Sequence, residues 1–185
     1  SIKNSIFVNM LLEKKILKNN SKSRENIFAI EDAIRNNTDP NYKTYIGDNE
    51  ACPVKHTFSD GIYVREMFVP KGMMLVGKII KQTHHIFLMS GKIAIITEDG
   101  EKIMEGPCSV VAKGGTKRVG YALTDVVWIN VHPNITDTQD LDKLEQEVIA
   151  KDYDEYDKYL EFKKANLLIR TIKKIKYMIT KNITI

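Results

Sequence analysis

The sequence has few of the residues that build disulfide frameworks and metal sites, since its 185 residues include only two cysteines and four histidines. Cys52 and Cys108 lie far apart and form no Cys-x-x-Cys pair, which indicates neither a zinc knuckle nor a disulfide scaffold. Reduced thiols in a cytosolic setting are the default expectation. No apolar run approaches the ~18 residues of a membrane-spanning helix, so we expect no membrane span. The length suits one domain of ordinary size with extensions.

Acidic residues are missing from the C-terminal end of the chain. From Lys163 onwards seven basic residues stand without an acidic one, whereas from Asp137 to Glu161 ten acidic residues face three lysines. The stretch from Lys3 to Arg24 repeats the basic sign, with a single acidic residue. The net charge of +4 therefore hides opposed segments, and the ends of the chain are candidates for contacts with other molecules.

The middle of the chain is rich in β-branched, aromatic and long apolar residues with partial period-two alternation, which predicts short strands. Eight such segments occur, separated by turn residues: 62–69, 73–80, 84–89, 92–98, 101–104, 108–112, 118–123 and 126–132. Asp99-Gly100 is the clearest hairpin signal, because both central positions of a type I′ turn need positive φ. Eight strands at this spacing suit a barrel or a two-sheet jelly roll.

Both flanks of this β region show helical periodicity. On the N-terminal side one helix is indicated by Ile2, Ile6, Met10 and Leu17, and a second by Ile27, Ile30 and Ile34 after a possible cap at Ser23. On the C-terminal side the two apolar sets are Leu141, Leu144 and Val148, and then Leu168, Ile172, Ile175 and Ile179 at near-heptad spacing. We therefore expect a helical arm and linker over 1–50, a β-barrel over 51–133, and a helical extension with a basic tail over 134–185.

Three short motifs carry a resemblance to a known family. They are Tyr63 with the Arg-Glu-Met-Phe of 65–68, the Gly-Thr-Lys-Arg of 115–118, and Asp125 with Trp128 and His132. Together with the surrounding sequence, over about residues 52–150, they resemble cupin-domain proteins encoded in phage genomes. The resemblance implies a double-stranded β-helix barrel, a form of jelly roll, flanked here by α-helices. It also implies a family in which many members hold a divalent metal on two or three histidines and a carboxylate.

The chain departs from that family pattern at the implied metal ligands. The family segment matching Lys78 to His84 usually reads Lys-Ile-His-Lys-x-Glu-His, so Ile80 and Thr83 stand where a histidine and a glutamate are implied. Leu123 stands where another histidine is often found. His84 remains, but a transition-metal site needs three or four convergent ligands. Only Glu66, His132 or His56 could complete one with His84, and we expect no metal or other cofactor.

Two functional hypotheses from different classes follow. The first is a non-catalytic, phage-encoded cupin-like protein with a structural or protein-interaction role, and one option is that it is a component of the virion. Such a protein would be found in the host cytoplasm, the virion or both. The second is a small cupin enzyme, of isomerase or oxygenase type, acting on a sugar or small acid with His84, Tyr121 and Lys117 as a general acid–base set. Loss of ligands together with helical extensions favours the first.

Two basic features leave alternatives open. The stripe of Leu168, Ile172, Ile175 and Ile179 must be covered, which favours docking onto another protein chain, either a homo-oligomer or a virion protein. Nucleic-acid binding is less well supported, because the tail offers one aromatic side chain and few arginines, and a membrane-surface helix is the third alternative. Lys117-Arg118, which follows two glycines, could cradle a phosphate or form a solvated loop.

Overall fold

The structure is a computed structural model that describes residues 23–36, 44–45 and 50–183. The strands are β1 Thr44–Tyr45, β2 Val54–Ser59, β3 Ile62–Val69, β4 Met74–Val76, β5 Ile79–Ile80, β6 His84–Ser90, β7 Lys92–Thr97, β8 Gly100–Glu105, β9 Cys108–Ala112, β10 Val119–Ala122, β11 Val126–Pro133 and β12 Ile149–Ala150. The helices are α1 Ser23–Arg35, α2 Leu141–Val148 and α3 Tyr153–Ile183.

Ten of the strands form two five-stranded sheets that face each other. The first sheet has the order β1-β4-β10-β7-β8, the second sheet has the order β2-β3-β11-β6-β9, and β12 pairs with β5. All pairs are antiparallel except β1 with β4. Inward-facing residues of both sheets, among them Met67, Leu88, Ile93 and Trp128, build one core. The predicted fold class, a mainly β jelly roll with helical extensions, is confirmed.

Period-two alternation located most strands but missed some breaks and edges. The bounds of β3 and β9 are those predicted, whereas the single strand expected over 73–80 is divided into β4 and β5. The break falls at Gly77, whose N–H donates to the carbonyl oxygen of Arg118 at 2.7 Å instead of continuing a ladder. The edge strand β2 was missed, although its side chains alternate between half-buried and exposed.

The hairpin expected at Asp99-Gly100 is present, but its turn differs from the prediction. Thr97 pairs with Gly100, so the two loop residues are Glu98 and Asp99, and Gly100, with φ 116°, begins β8. Asp99 does not take the positive φ that a type I′ turn centred on Asp99-Gly100 requires. The Thr97 hydroxyl accepts a hydrogen bond from the Asp99 N–H at 3.1 Å and donates one to the Gly100 carbonyl at 3.2 Å. These bonds hold the loop one residue earlier than predicted.

The N-terminal helix α1 lies on the outer face of the first sheet. Ile27 and Ile30 are 1% and 3% exposed and pack against Met74, Val76 and Val119. The predicted linker is not entirely irregular, because β1 within it pairs with β4. The helix predicted from Ile2 to Leu17 lies outside the described residues.

The C-terminal extension begins on the barrel and then leaves it. Asp140 caps α2 by accepting from the N–H groups of Asp142 and Lys143 at 3.1 and 3.2 Å, and Leu144 packs against the barrel. The helix α3 starts at Tyr153, well before the predicted apolar set that begins at Leu168, and its first turns pack Tyr156 against Ile79. From Phe162 onwards its described apolar side chains are exposed. Within the described residues, no helix combines the length and apolar character of a membrane span.

Candidate functional site

A cavity of about 400 Å³ lies between the two sheets, with α2 at its mouth. Its floor is apolar and includes Ile86 and Ile93. Its polar side chains come largely from the second sheet, where Tyr63 pairs with His132 and Arg65 pairs with Asn130 on adjacent strands. Because alternate residues of a strand face the same side, these four side chains point inwards together. His84 on β6 and Arg118, just before β10, complete the inner polar lining.

Two imidazole rings are in contact at the centre of this polar cluster. The ring centroids of His84 and His132 lie 4.6 Å apart. Burial lowers the pKa of His132 to about 3, with additional contributions from His84 and Arg65, and burial likewise lowers the pKa of His84. The Nδ1 of His84 lies 3.1 Å from the carbonyl oxygen of Gln82, which fits a neutral ring that donates from Nδ1. Both rings are therefore neutral at pH 7.

The Nδ1 atom of His132 is buried and has no hydrogen-bond partner among the described residues. Buried polar atoms are nearly always paired, so this nitrogen is an exception whose hydrogen-bonding capacity the fold does not use. Tyr63 stacks beside His132 with ring centroids 5.7 Å apart, and its hydroxyl lies 2.8 Å from Nδ1 of His56. Burial raises the pKa of Tyr63, so its phenol stays protonated at neutral pH. The cluster thus offers both donors and acceptors.

The cavity also contains two guanidinium groups that no described carboxylate neutralises. Arg65 donates only a long contact of 3.7 Å to the sulfur of Met67, and Arg118 has no ion pair with any described residue. Burial lowers the pKa of Arg118, although an arginine remains charged at neutral pH. The two carboxylates of the lining, Asp142 and Glu145, belong to α2 at the mouth, where Glu145 pairs with Lys78. The inner cavity is therefore a cationic site.

The donor set does not fit the metal centre that the family resemblance implies. Within the described residues no group of three or more His, Cys, Asp or Glu side chains could hold a metal ion. His132 does converge with His84, but Tyr63 lies between His132 and His56, and Glu66 does not line the cavity. Two imidazoles are fewer than the three or four ligands that a tight transition-metal site needs.

The residues proposed as a general acid–base set are not brought together. Of the three, only His84 lines the cavity. Tyr121 packs with the α1 cluster on the other side of the first sheet, and Lys117 is buried there in an ion pair with Glu31 of α1. The three side chains stay apart because Tyr121 on β10 and Lys117 just before it turn towards α1, whereas Arg118 turns towards the cavity.

The glycine pair before Lys117 does not form a phosphate cradle. The N–H of Gly114 donates to the Thr83 hydroxyl at 3.3 Å, and the N–H of Gly115 donates to the Ile80 carbonyl at 2.8 Å. Both amides are therefore used within the fold. Gly115 has φ 83°, and a Cβ there would lie 2.4 Å from the ring of Tyr156, so the position requires glycine for packing.

Arg65 and Asn130 contribute much of the polarity of the cavity, and no role was predicted for them from the sequence, whereas Arg118 was considered only together with Lys117 as a possible phosphate-binding pair. The signal was present in part: Tyr63 and Arg65 occupy alternate positions of a well-predicted strand, so they had to share one face. The alternation alone does not tell whether that face lies inside or outside the barrel. Asn130 accepts from the indole N–H of Trp128 at 3.1 Å, which fixes its amide beside His84.

Comparison with known proteins gives likenesses of fold alone. No family model matches the chain, and no curated protein sequence matches it. Among solved structures, ectoine synthase from P. lautus is similar at 11% identity and a TM-score of 0.42, over 47% of this chain and 67% of that one. A cupin-2 domain protein from Shewanella frigidimarina is similar at 11% identity and a TM-score of 0.38, over 43% and 78%.

A third structure is the Cupin_2 domain of an XRE family transcriptional regulator from Enterobacter cloacae. It is similar at 13% identity and a TM-score of 0.38, over 44% of this chain and 95% of that one. Cupin-domain proteins are thus among the solved structures that the chain resembles.

Proposed function

We propose that the barrel binds a small anionic molecule, through a carboxylate or phosphate group, in the cavity between the two sheets. The observation that carries the proposal is the pair Arg65 and Arg118, two guanidinium groups that face one cavity and have no described carboxylate partner. Both guanidinium groups are half-buried, and withdrawing a cation from water even in part without a counter-charge costs folding free energy. An anionic ligand removes that cost, and arginine is the side chain best suited to grip a planar or tetrahedral anion with two parallel hydrogen bonds.

The remaining lining indicates a ligand with both polar and apolar parts. Tyr63 and Asn130 can orient hydroxyl or amide groups, while Ile86 and Ile93 offer an apolar surface to a hydrocarbon portion. The volume of about 400 Å³ lies within the range of pockets that enclose small organic molecules. A small organic acid or a phosphorylated compound of that size fits this description.

Turnover of the ligand is part of the enzyme hypothesis, in which a sugar or small acid is isomerised or oxygenated. The pKa of about 3 makes His132 a poor proton acceptor at neutral pH, so the other imidazoles of the cavity, His84 and His56, are the better candidates. They replace the set of His84, Tyr121 and Lys117 as candidate general bases. Binding of the anion comes before any such step and is the part that can be tested directly.

The test is a titration of the full-length protein with phosphate, citrate and a neutral monosaccharide. We expect one of the two anions to bind and to raise the melting temperature, and the monosaccharide to do neither. Arg118→Gln and Arg65→Gln should each weaken binding at least tenfold, whereas the matched control Arg170→Gln, in the exposed part of α3, should not. The two anions distinguish a phosphate site from a carboxylate site. Equal response to the monosaccharide, or unchanged binding in both cavity variants, would refute the proposal.

An interaction role is a second candidate, favoured by the exposed part of α3. Its apolar side chains Leu168, Ile172, Ile175 and Ile179 are 44 to 62% exposed, which is unusual for a regular apolar stripe. We propose that this segment binds another protein chain. In the specific form of this proposal, the protein is a structural component of a phage virion and resides in the host cytoplasm before assembly. Mass spectrometry of purified particles from an infected host tests that form: the chain should be present in stoichiometric amount, and its absence would contradict it.

A further inference from the structure

The chain has two apolar surfaces that nothing in the described structure covers. The first, which we call the outer patch, is the outward face of the second sheet around Phe68, Phe87, Met89, Val111, Ile129 and Val131. The exposed fractions are 42% for Phe68, 37% for Phe87, 51% for Met89 and 60% for Val111. Strand register makes the surface continuous, because Phe87 lies opposite Ile129 and Phe68 lies opposite Val127. The outer face of the first sheet, in contrast, is covered by α1.

The second surface belongs to residues 162–183 of α3, which we call the arm. Leu168, Ile172, Ile175 and Ile179 follow one another at intervals of four, three and four residues, so they lie along one side of the helix. Lys173, Lys174 and Arg170 fall on the opposite side by the same geometry. Such a helix gains little stability from propensity alone and needs its apolar side buried.

We propose that the arm of one copy lies across the outer patch of a second copy, and reciprocally, so that two chains form an arm-exchanged dimer. The inference rests on the interaction role proposed above for the arm and does not depend on the anion site. A helix layered on the apolar face of a sheet is a standard packing arrangement, and α1 on the first sheet already uses it within one chain. The lengths agree: the arm spans about 33 Å, and an eight-residue strand about 27 Å.

Charge argues against the simplest alternative, in which two arms pair with each other. From Lys163 to the end the chain has seven basic residues and no acidic one, so arm–arm pairing would bring like charges together. The outer patch presents few charges, and the carboxylate of Glu66 on β3 at its edge lies opposite Lys55 on β2, so the two offset each other. The arm can therefore lie on the patch of a second copy without that repulsion, with its lysines towards solvent.

The buried area is sufficient for a specific dimer. A helix about 30 Å long and about 10 Å wide covers roughly 300 Å² of a surface. Reciprocal exchange makes two such contacts and so removes roughly 1,200 Å² from water over four surfaces, above the ~1,000 Å² expected of a specific interface. One arm contact alone would fall below that limit, which is why the exchange must be mutual.

The test uses two full-length double variants and sedimentation at about 50 µM. The arm variant is Ile172→Asn with Ile175→Asn, and the patch variant is Met89→Thr with Val111→Thr; all four side chains are 44 to 60% exposed in the single chain. We expect a dimer for the unmodified protein and at least tenfold weaker dimerisation for each variant. Lys173→Gln with Lys174→Gln, on the other side of the helix, is the matched control and should dimerise normally. Circular dichroism verifies that every variant is folded.

Direct contact is tested by mixing a chain that carries Ile172→Cys with a chain that carries Met89→Cys under oxidising conditions. We expect a disulfide-linked dimer of the two, and none when Arg170→Cys replaces Ile172→Cys or when the unmodified chain, with its own Cys52 and Cys108, is used alone. A dimer lost in the arm variant and retained in the patch variant, or linkage between two Ile172→Cys chains, would show arm–arm pairing and overturn this inference while leaving the interaction role. A monomer in the unmodified protein would overturn it as well.

Discussion

Lys117 and Arg118 are consecutive cations that enter opposite sides of the first sheet. Lys117 turns outwards beneath α1, where its Nζ lies 2.9 Å from Oε2 of Glu31 and 5.3 Å from the ring centroid of Phe28. Arg118 turns inwards and lines the cavity, where no described carboxylate pairs with it. Lys117 is buried and Arg118 is half-buried, and of the two only Lys117 pairs with a carboxylate among the described residues.

The difference separates a cation that serves the fold from one that serves a ligand. A buried ion pair with good geometry ties α1 to the sheet and leaves no polar group without a partner. A half-buried guanidinium without a described counter-ion is moderately unfavourable for the ligand-free protein and favourable for a bound anion. This difference predicts that removing the charge changes the free energy of unfolding in opposite directions on the two sides of the sheet.

The largest effect is expected beneath α1. Burial raises the pKa of Glu31, but hydrogen bonds and charge from Lys117 and Arg35 outweigh it and hold the pKa below its ordinary value. Glu31→Gln leaves Lys117 buried without an anion, and the free energy of unfolding should fall by about 3 kcal/mol, measured by urea denaturation. Asp32→Asn, on the exposed side of the same helix, is the control and should change the stability by less than about 0.5 kcal/mol.

Much of this fold could be predicted from local pattern, because strands and amphipathic helices have fixed periods. The bounds of β3 and β9 and the helix from Ser23 followed directly from those periods. Partners distant in sequence could not be predicted in the same way. The short strand β12 forms because it pairs with β5, and α3 extends back to Tyr153 because its first turns pack against Ile79 and Ala150.

The site was less predictable than the fold, since it depends on which face of a strand closes inwards. His84 was a sequence candidate and does line the cavity. Lys117 was chosen over Arg118, although a shift of one residue exchanges the two faces of a strand. Choosing between the two residues required knowledge of the position of Glu31, which lies on a helix far away in sequence and forms an ion pair with Lys117.

A pH change should separate the two regions. An unfolded histidine has a pKa of 6.5, whereas folded His132 has a pKa of about 3, so below pH 6.5 the unfolded state binds more protons. The stabilising contribution of the neutral ring is complete above pH 6.5 and is lost as the pH falls towards 3. Between pH 7 and pH 5 the loss is on the order of 2 kcal/mol, while the Glu31 pair, whose carboxyl stays ionised, is unaffected.

The measurement is urea denaturation at pH 7 and pH 5 of the unmodified protein and of His132→Phe. The variant should lose less stability than the unmodified protein over this interval, although His84 and His56, whose pKa values burial also lowers, keep part of the dependence. His85→Phe, on the outward face of the same sheet, serves as the control and should retain the full dependence. An identical loss in the unmodified protein and His132→Phe would contradict the assignment.

The smallest effect has the opposite sign and concerns Arg118. Replacing an unpaired, half-buried charge by an apolar side chain of similar length removes a partial desolvation cost, so Arg118→Met should stabilise the ligand-free protein by about 1 kcal/mol. For a chain of this size that corresponds to a melting temperature higher by roughly 2–4 °C. The same variant should no longer respond to the anion that stabilises the unmodified protein. Lys117→Met, one residue earlier, should instead destabilise, because it leaves Glu31 without its lysine. Loss of stability in Arg118→Met would show that the guanidinium serves the fold, as Lys117 does, and would remove the main support for the anion site.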